Sequence, residues 1–159
     1  MYNHINDNGC GYESMMKQLN PSDVTALEVQ PAQEYYKGYL TEEALSHLQG
    51  DNFTYFENDV PKAIVGMQQH WNGRALVWAL IGDVKSWIRF HKEVKCIMEE
   101  YAAKRGILRL EMTIEVGFVE SERWALMLGF KEESVMKHFG PDGKDHKMMV
   151  RIWQQQSRL

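Results

Sequence analysis

Glu111 and Glu115 stand four residues apart in Leu108-Arg109-Leu110-Glu111-Met112-Thr113-Ile114-Glu115 and are the carboxylates best suited to take a proton from an attacking nucleophile. The stretch alternates apolar and polar side chains, so it predicts a strand, and same-parity spacing puts both carboxylates on one face with Thr113. A plain row of solvated carboxylates has the same pattern. Asp83, just past the apolar run Arg74–Ile81, is a third candidate of the same kind. A cationic group comprises Arg89, His91 and Lys92, with Lys85 just before them. They fall where a helix should begin, and a helix N-terminus adds its own unpaired N–H groups and positive dipole end to such charges. The plainer reading is a helix start with solvated basic residues and two aromatic anchors, Trp87 and Phe90.

Other groupings carry less chemistry. His138, Asp142, Asp145 and His146 match no standard metal-ligand spacing, and a hairpin turn through Gly140-Pro141-Asp142-Gly143-Lys144-Asp145 accounts for the aspartates, so no metal is expected. Tyr35-Tyr36-Lys37-Gly38-Tyr39 is a dense aromatic segment suited to lining a site, meeting a partner or capping a core. Cys10 and Cys96 lie in unlike contexts, the first polar and Gly-flanked, the second among Val94, Ile97 and Met98. They predict no disulfide framework and a reducing compartment.

These residues must be positioned by a chain of 159 residues, enough for one domain. Its formal charge of −4 and pI of about 5.9 offer no global basic field for nucleic acid or an anionic membrane. No signal peptide is visible, and the longest apolar run, 75–81, is too short for a bilayer.

Residues 1–20 are rich in turn formers and predict an arm, 21–153 a domain, and 154–159 a polar tail. Within the domain, 24–29 predicts a first strand and 42–48 a short helix with Thr41 as its N-cap. The segments 52–57, 62–69 and 74–81 predict an antiparallel meander, turned at Asn58-Asp59 and Asn72-Gly73 and ending in a buried strand. Ile88, Val94, Ile97, Met98, Tyr101 and Ala102 then recur with helical spacing as far as Gly106. A strand over 108–114, a short helix over 120–127 stopped by Gly129, and a closing hairpin of 131–139 and 147–153 complete the order. A strand, a helix and a strand in succession predict a parallel crossover pair.

Lys104-Arg105-Gly106-Ile107 with the strand after it, Trp124-Ala125-Leu126-Met127-Leu128-Gly129-Phe130-Lys131-Glu132-Glu133, and the final hairpin resemble the GNAT acetyltransferase superfamily. The resemblance covers about 24–153 and is specific over the last 70 or so residues. Within that superfamily the chain looks most like the acetyltransferase-like proteins of short-tailed phages, on Trp87 to Lys92 and Asp142-Gly143. It implies an α/β fold, a single domain with a mixed, mostly antiparallel sheet, one parallel crossover pair and a long helix after the fourth strand.

In active members of the superfamily a glycine turn at the start of the long helix binds the pyrophosphate of acetyl-CoA. Here Ser86-Trp87-Ile88-Arg89-Phe90-His91 holds no glycine, so side-chain charge from Arg89, His91 and Lys92 would have to serve. A Tyr of the last helix that protonates the departing thiolate is matched by Ala125, and an Asn near its start by Phe118. The expectation is a catalytically degenerate phage-type protein, a virion assembly or binding component with other phage structural proteins as partners, in the virion or the host cytoplasm. Self-association is compatible with it; nucleic acid is not expected. The alternative is an acetyl-CoA-dependent N-acetyltransferase with a non-standard pyrophosphate loop, acetyl-CoA its cofactor and Glu111 or Glu115 its base.

Overall fold

The computed structural model describes residues 14–154. Most of the arm, including Cys10, and the tail beyond Gln154 lie outside the described residues. The elements in chain order are β1 (Met16–Gln18), α1 (Asp23–Ala26), a 3-10 helix (Pro31–Gly38), α2 (Glu42–Ser46), β2 (Asp51–Glu57), β3 (Val60–Trp71) and β4 (Arg74–Ile81). They continue with α3 (Trp87–Arg105), β5 (Arg109–Glu115), α4 (Val119–Met127), β6 (Lys131–Met136) and β7 (His146–Ile152). The strands form one seven-stranded sheet in the order β1-β2-β3-β4-β5-β7-β6, with β4 and β5 parallel. This is the expected α/β architecture with its crossover helix between the parallel strands.

Two compact units divide the chain, the first within 14–66 and 79–100, the second within 67–78 and 101–154. In the first, Asn58 and Asp59 both take positive φ, 50° and 61°, the backbone of a tight hairpin turn whose twist matches that of the flanking strands. Thr41 caps α2 as expected, its hydroxyl accepting from the Ala44 N–H at 3.2 Å. Phe90 is fully buried and packs its ring against Tyr55 at 4.9 Å.

Two expectations fail in this unit. Residues 24–29 do not make a strand. The Asn20 side chain accepts from the Ser22 N–H, and the Asp23 carboxylate accepts from the Asn20 N–H, both at 3.1 Å, which closes a helical turn at α1. Only Val29 reaches the sheet, in an isolated bridge to Gly82. Secondly, 16–18 of the supposed arm is strand β1, antiparallel to β2.

In the second unit Gly106 (φ 61°) and Gly129 (φ 90°) end α3 and α4 in the left-handed region, as expected of helix stops. At α4 the Phe130 N–H reaches back to the Ala125 carbonyl at 3.0 Å, satisfying an otherwise orphaned acceptor. The parallel ladder pairs Arg74, Ala75 and Leu76 with Arg109, Leu110 and Glu111. β7 pairs with β5 along the whole of β5 and also with β6, which carries a bulge between Glu132 and Ser134. Among the described residues no helix is long and apolar enough to cross a membrane.

Candidate functional site

The N-terminus of α3 belongs to the first unit. Val84 is buried, while Lys85, Ser86, Trp87, Ile88 and Arg89 are all exposed, Ile88 to 75%. Trp87 meets the buried Phe90 ring edge-on at 5.6 Å. Phe90 is therefore the core anchor here, and Trp87 lies half in solvent. Lys85 pairs with Asp83 at 2.7 Å, and that salt bridge holds the Asp83 carboxyl below its usual range. Asp83 is exposed and its carboxyl is held below its usual range, so nothing in its surroundings raises it toward the pKa of a base.

The amides that open this helix already hold an anion. Glu57, the last residue of β2, places one carboxylate oxygen 2.7 Å from the Ser86 N and the other 3.0 Å from the Lys85 N. Two successive N–H groups donate to one carboxylate, the arrangement by which helix starts take phosphate oxygens. The donors thus fit an anion, and while Glu57 sits there they are committed to it.

Of the three side chains expected to supply charge, Lys92 is exposed. Arg89 donates to Glu93 at 3.1 Å. His91 is half-buried; burial and the nearby Lys95 cation both push its pKa below the ordinary imidazole value, which disfavours its charged form. Glu93 escaped the sequence reading: it is 2% exposed, and its carboxylate accepts from the Met15 and Met16 N–H groups and the Ser14 hydroxyl, at 2.8 to 3.1 Å. It pins β1 and orients Arg89, and only its isolation among apolar helix positions hinted at such a task.

The carboxylates of β5 belong to the second unit. Glu111 is 3% exposed and takes both ends of the Arg74 fork, at 2.8 and 2.9 Å, and Arg109 at 2.5 Å. The Arg74 hydrogen bonds, followed by those of Arg109, pull its pKa down to about 2 against the opposing effect of burial. A carboxylate so held is a poor proton acceptor at neutral pH, and Glu111 is a structural anion. Arg109 also grips Glu133 through two 2.7 Å bonds, and Arg74 lies over the Trp71 ring at 4.3 Å.

Glu115 sits at the far end of the same strand, half-buried and paired with Lys144 at 2.9 Å. β5 therefore brings the two carboxylates onto one strand and gives them different work. Ala125 is fully buried in α4. Putting the superfamily's phenol there forces a large side chain into filled space. We expect Ala125→Tyr to lose about 2 kcal/mol or more, read as a lowered urea midpoint; an unchanged midpoint would show that the pocket accepts a phenol.

In the closing hairpin, the Asp145 carboxylate accepts from the His138 N–H at 2.9 Å and from Lys137 at 2.8 Å, while Asp142 accepts from the Lys144 N–H at 3.1 Å. Turn geometry uses both aspartates. His146 is buried, and neither ring nitrogen has a hydrogen-bond partner among the described residues. Among the described residues no group of three or more His, Cys, Asp or Glu is arranged to hold a metal ion.

No family model matches this sequence, and no curated protein matches it. Solved structures do. Ard1 from Thermoplasma volcanium superposes with a TM-score of 0.73 at 12% identity, covering 88% of this chain and 97% of that one. A GNAT-family acetyltransferase from Bacillus anthracis gives 0.68 at 9% identity, over 86% and 93%. The yncA protein of Salmonella typhimurium, solved with its cofactor acetyl-CoA, gives 0.65 at 15% identity, over 89% and 95%. The chain has the GNAT fold.

Proposed function

We propose that this chain is an acyl-CoA-dependent N-acyltransferase with a non-standard pyrophosphate contact. The observation that carries this reading is the exposed start of α3, where two backbone amides already seat a carboxylate and the sequence around them carries the exposed cations Lys85 and Lys92. Similarity to GNAT acetyltransferases, one of them solved with acetyl-CoA, supports it. Lys85, Arg89 and Lys92 would hold the phosphates, with His91 as a hydrogen-bonding neighbour. The bound thioester would supply an activated acyl group. Glu115, rather than Glu111, would take the proton from the acceptor amine; it has a lysine, Lys144, at 2.9 Å where Glu111 is held by two arginines.

The test is acceptor-dependent thiol release from acetyl-CoA, using small amines and peptides with free N-termini. Glu115→Gln is expected to lower the rate about 100-fold or more with little change in acetyl-CoA affinity. Turnover unaffected by that substitution would remove Glu115 from the chemistry. Absence of turnover with every acceptor, together with no acetyl-CoA binding, would remove the acyltransferase reading.

A second reading keeps the fold without the catalysis: a binding or assembly component of the short-tailed-phage type, in the virion or the host cytoplasm with other phage structural proteins. It is favoured by the buried Ala125 where the superfamily has its phenol. It predicts stable co-purification with particle components and no thiol release.

A further inference from the structure

Glu57 reaches the start of α3 from far away in sequence, 28 residues before Lys85 and 29 before Ser86. Helix caps ordinarily come from the N-cap residue itself or the turn after it. Here a strand end delivers the cap, fixed by the tight Asn58-Asp59 turn that follows it. Both carboxylate oxygens are used, one on each amide, with the first also 3.2 Å from the Lys85 N. The Tyr55 hydroxyl lies 3.5 Å from the same carboxylate.

We propose that Glu57 is an internal anion that occupies the Lys85 and Ser86 amides leading into α3, where a phosphate would bind, an autoinhibitory contact that an incoming phosphate must displace. The physical basis is exclusion. Two anions cannot share the same pair of N–H donors, and a phosphate set beside the resident carboxylate meets its full charge at short range. Glu57 is half-buried at the end of a strand, where turning its side chain away from the Lys85 and Ser86 amides leaves the β2 backbone pairing in place. The glycines absent from this turn are then only part of the departure from the superfamily; the other part is a carboxylate where the ligand's charge belongs. This inference rests on the acyltransferase reading only for the identity of the ligand, since occlusion of the amides holds for any phosphate.

The experiment is calorimetric titration of inorganic pyrophosphate, and separately of coenzyme A, into wild type, Glu57→Gln and Glu57→Ala at low ionic strength, where helix-end charge effects are largest. Glu57→Ala should bind pyrophosphate about tenfold more tightly or better, and Glu57→Gln, which keeps an acceptor oxygen but loses the charge, should fall between it and wild type. A cap with no inhibitory role predicts the reverse pattern, a lower melting temperature with no gain in affinity. Equal pyrophosphate affinity in wild type and Glu57→Gln overturns the inference even if Glu57→Ala fails to fold. Tighter pyrophosphate binding without acetyl transfer by any variant leaves the inference standing and removes the acyltransferase reading. Acetyl transfer with unchanged pyrophosphate affinity does the opposite.

Discussion

Glu111→Ala is expected to lower stability by about 3 kcal/mol at pH 7, the cost typical of breaking a buried ion pair from one side. The carboxylate is almost wholly buried and is the shared anchor of Arg74 and Arg109. Without it, two guanidinium groups with roughly 30% of their side-chain surface in solvent face each other across the start of the parallel ladder. The effect is pH-dependent, with a defined sign. Glu111 has its pKa lowered in the folded protein from the ordinary 4.5 to about 2, so the folded state binds the proton less well than the unfolded chain. The stabilisation is fully present above about pH 4.5 and disappears as the pH falls toward about 2, with a span of about 3 kcal/mol. Urea unfolding of wild type and variant at pH 7 and pH 3 checks this: the gap should narrow at pH 3. A gap of the same size at both would mean that Glu111 acts through packing and not through charge.

Gly82→Ala should cost about 3 kcal/mol or more, a fall in melting temperature of about 10 °C for a chain of this length. A methyl group there would stand 2.3 Å from the Glu28 carbonyl oxygen, 3.0 Å from that of Lys62 and 3.2 Å from a Leu27 methyl. Two of these neighbours are backbone and cannot rotate away. The Lys62 carbonyl is also the acceptor of the Gly82 N–H at 2.8 Å, so relieving the clash breaks that bond and the Val29 bridge together. Gly38→Ala is the control, because nothing lies within 4 Å of the added carbon. A melting temperature for Gly82→Ala within about 2 °C of that control would contradict the packing described around Gly82.

The elements that were legible in the sequence owe their legibility to local periodicity. β4 is the continuous apolar run Arg74–Ile81, and α3 follows the recurrence of Ile97, Met98, Tyr101 and Ala102 up to Gly106. The 24–29 stretch misled because its alternation was overruled by hydrogen bonds from Asn20 and Asp23, polar residues lying just before it or at its edge. Site roles were harder to read because they depend on partners distant in sequence. Glu111 and Glu115 look equivalent on the strand. Only the register that brings Arg74 beside Arg109, 37 residues from Arg74 to Glu111, makes one a locked anion. Glu57 carried no signal at all, since its meaning comes from the amides of Lys85 and Ser86.

Acetyl-CoA titrated calorimetrically into wild type and Glu57→Ala tests the proposed phosphate contact at the start of α3 most directly. The account predicts weak but measurable binding to wild type and binding about tenfold tighter to Glu57→Ala, both weakened by salt as side-chain cations are screened. No heat of binding with either protein at about millimolar acetyl-CoA, the weak end of ordinary affinities, would contradict it.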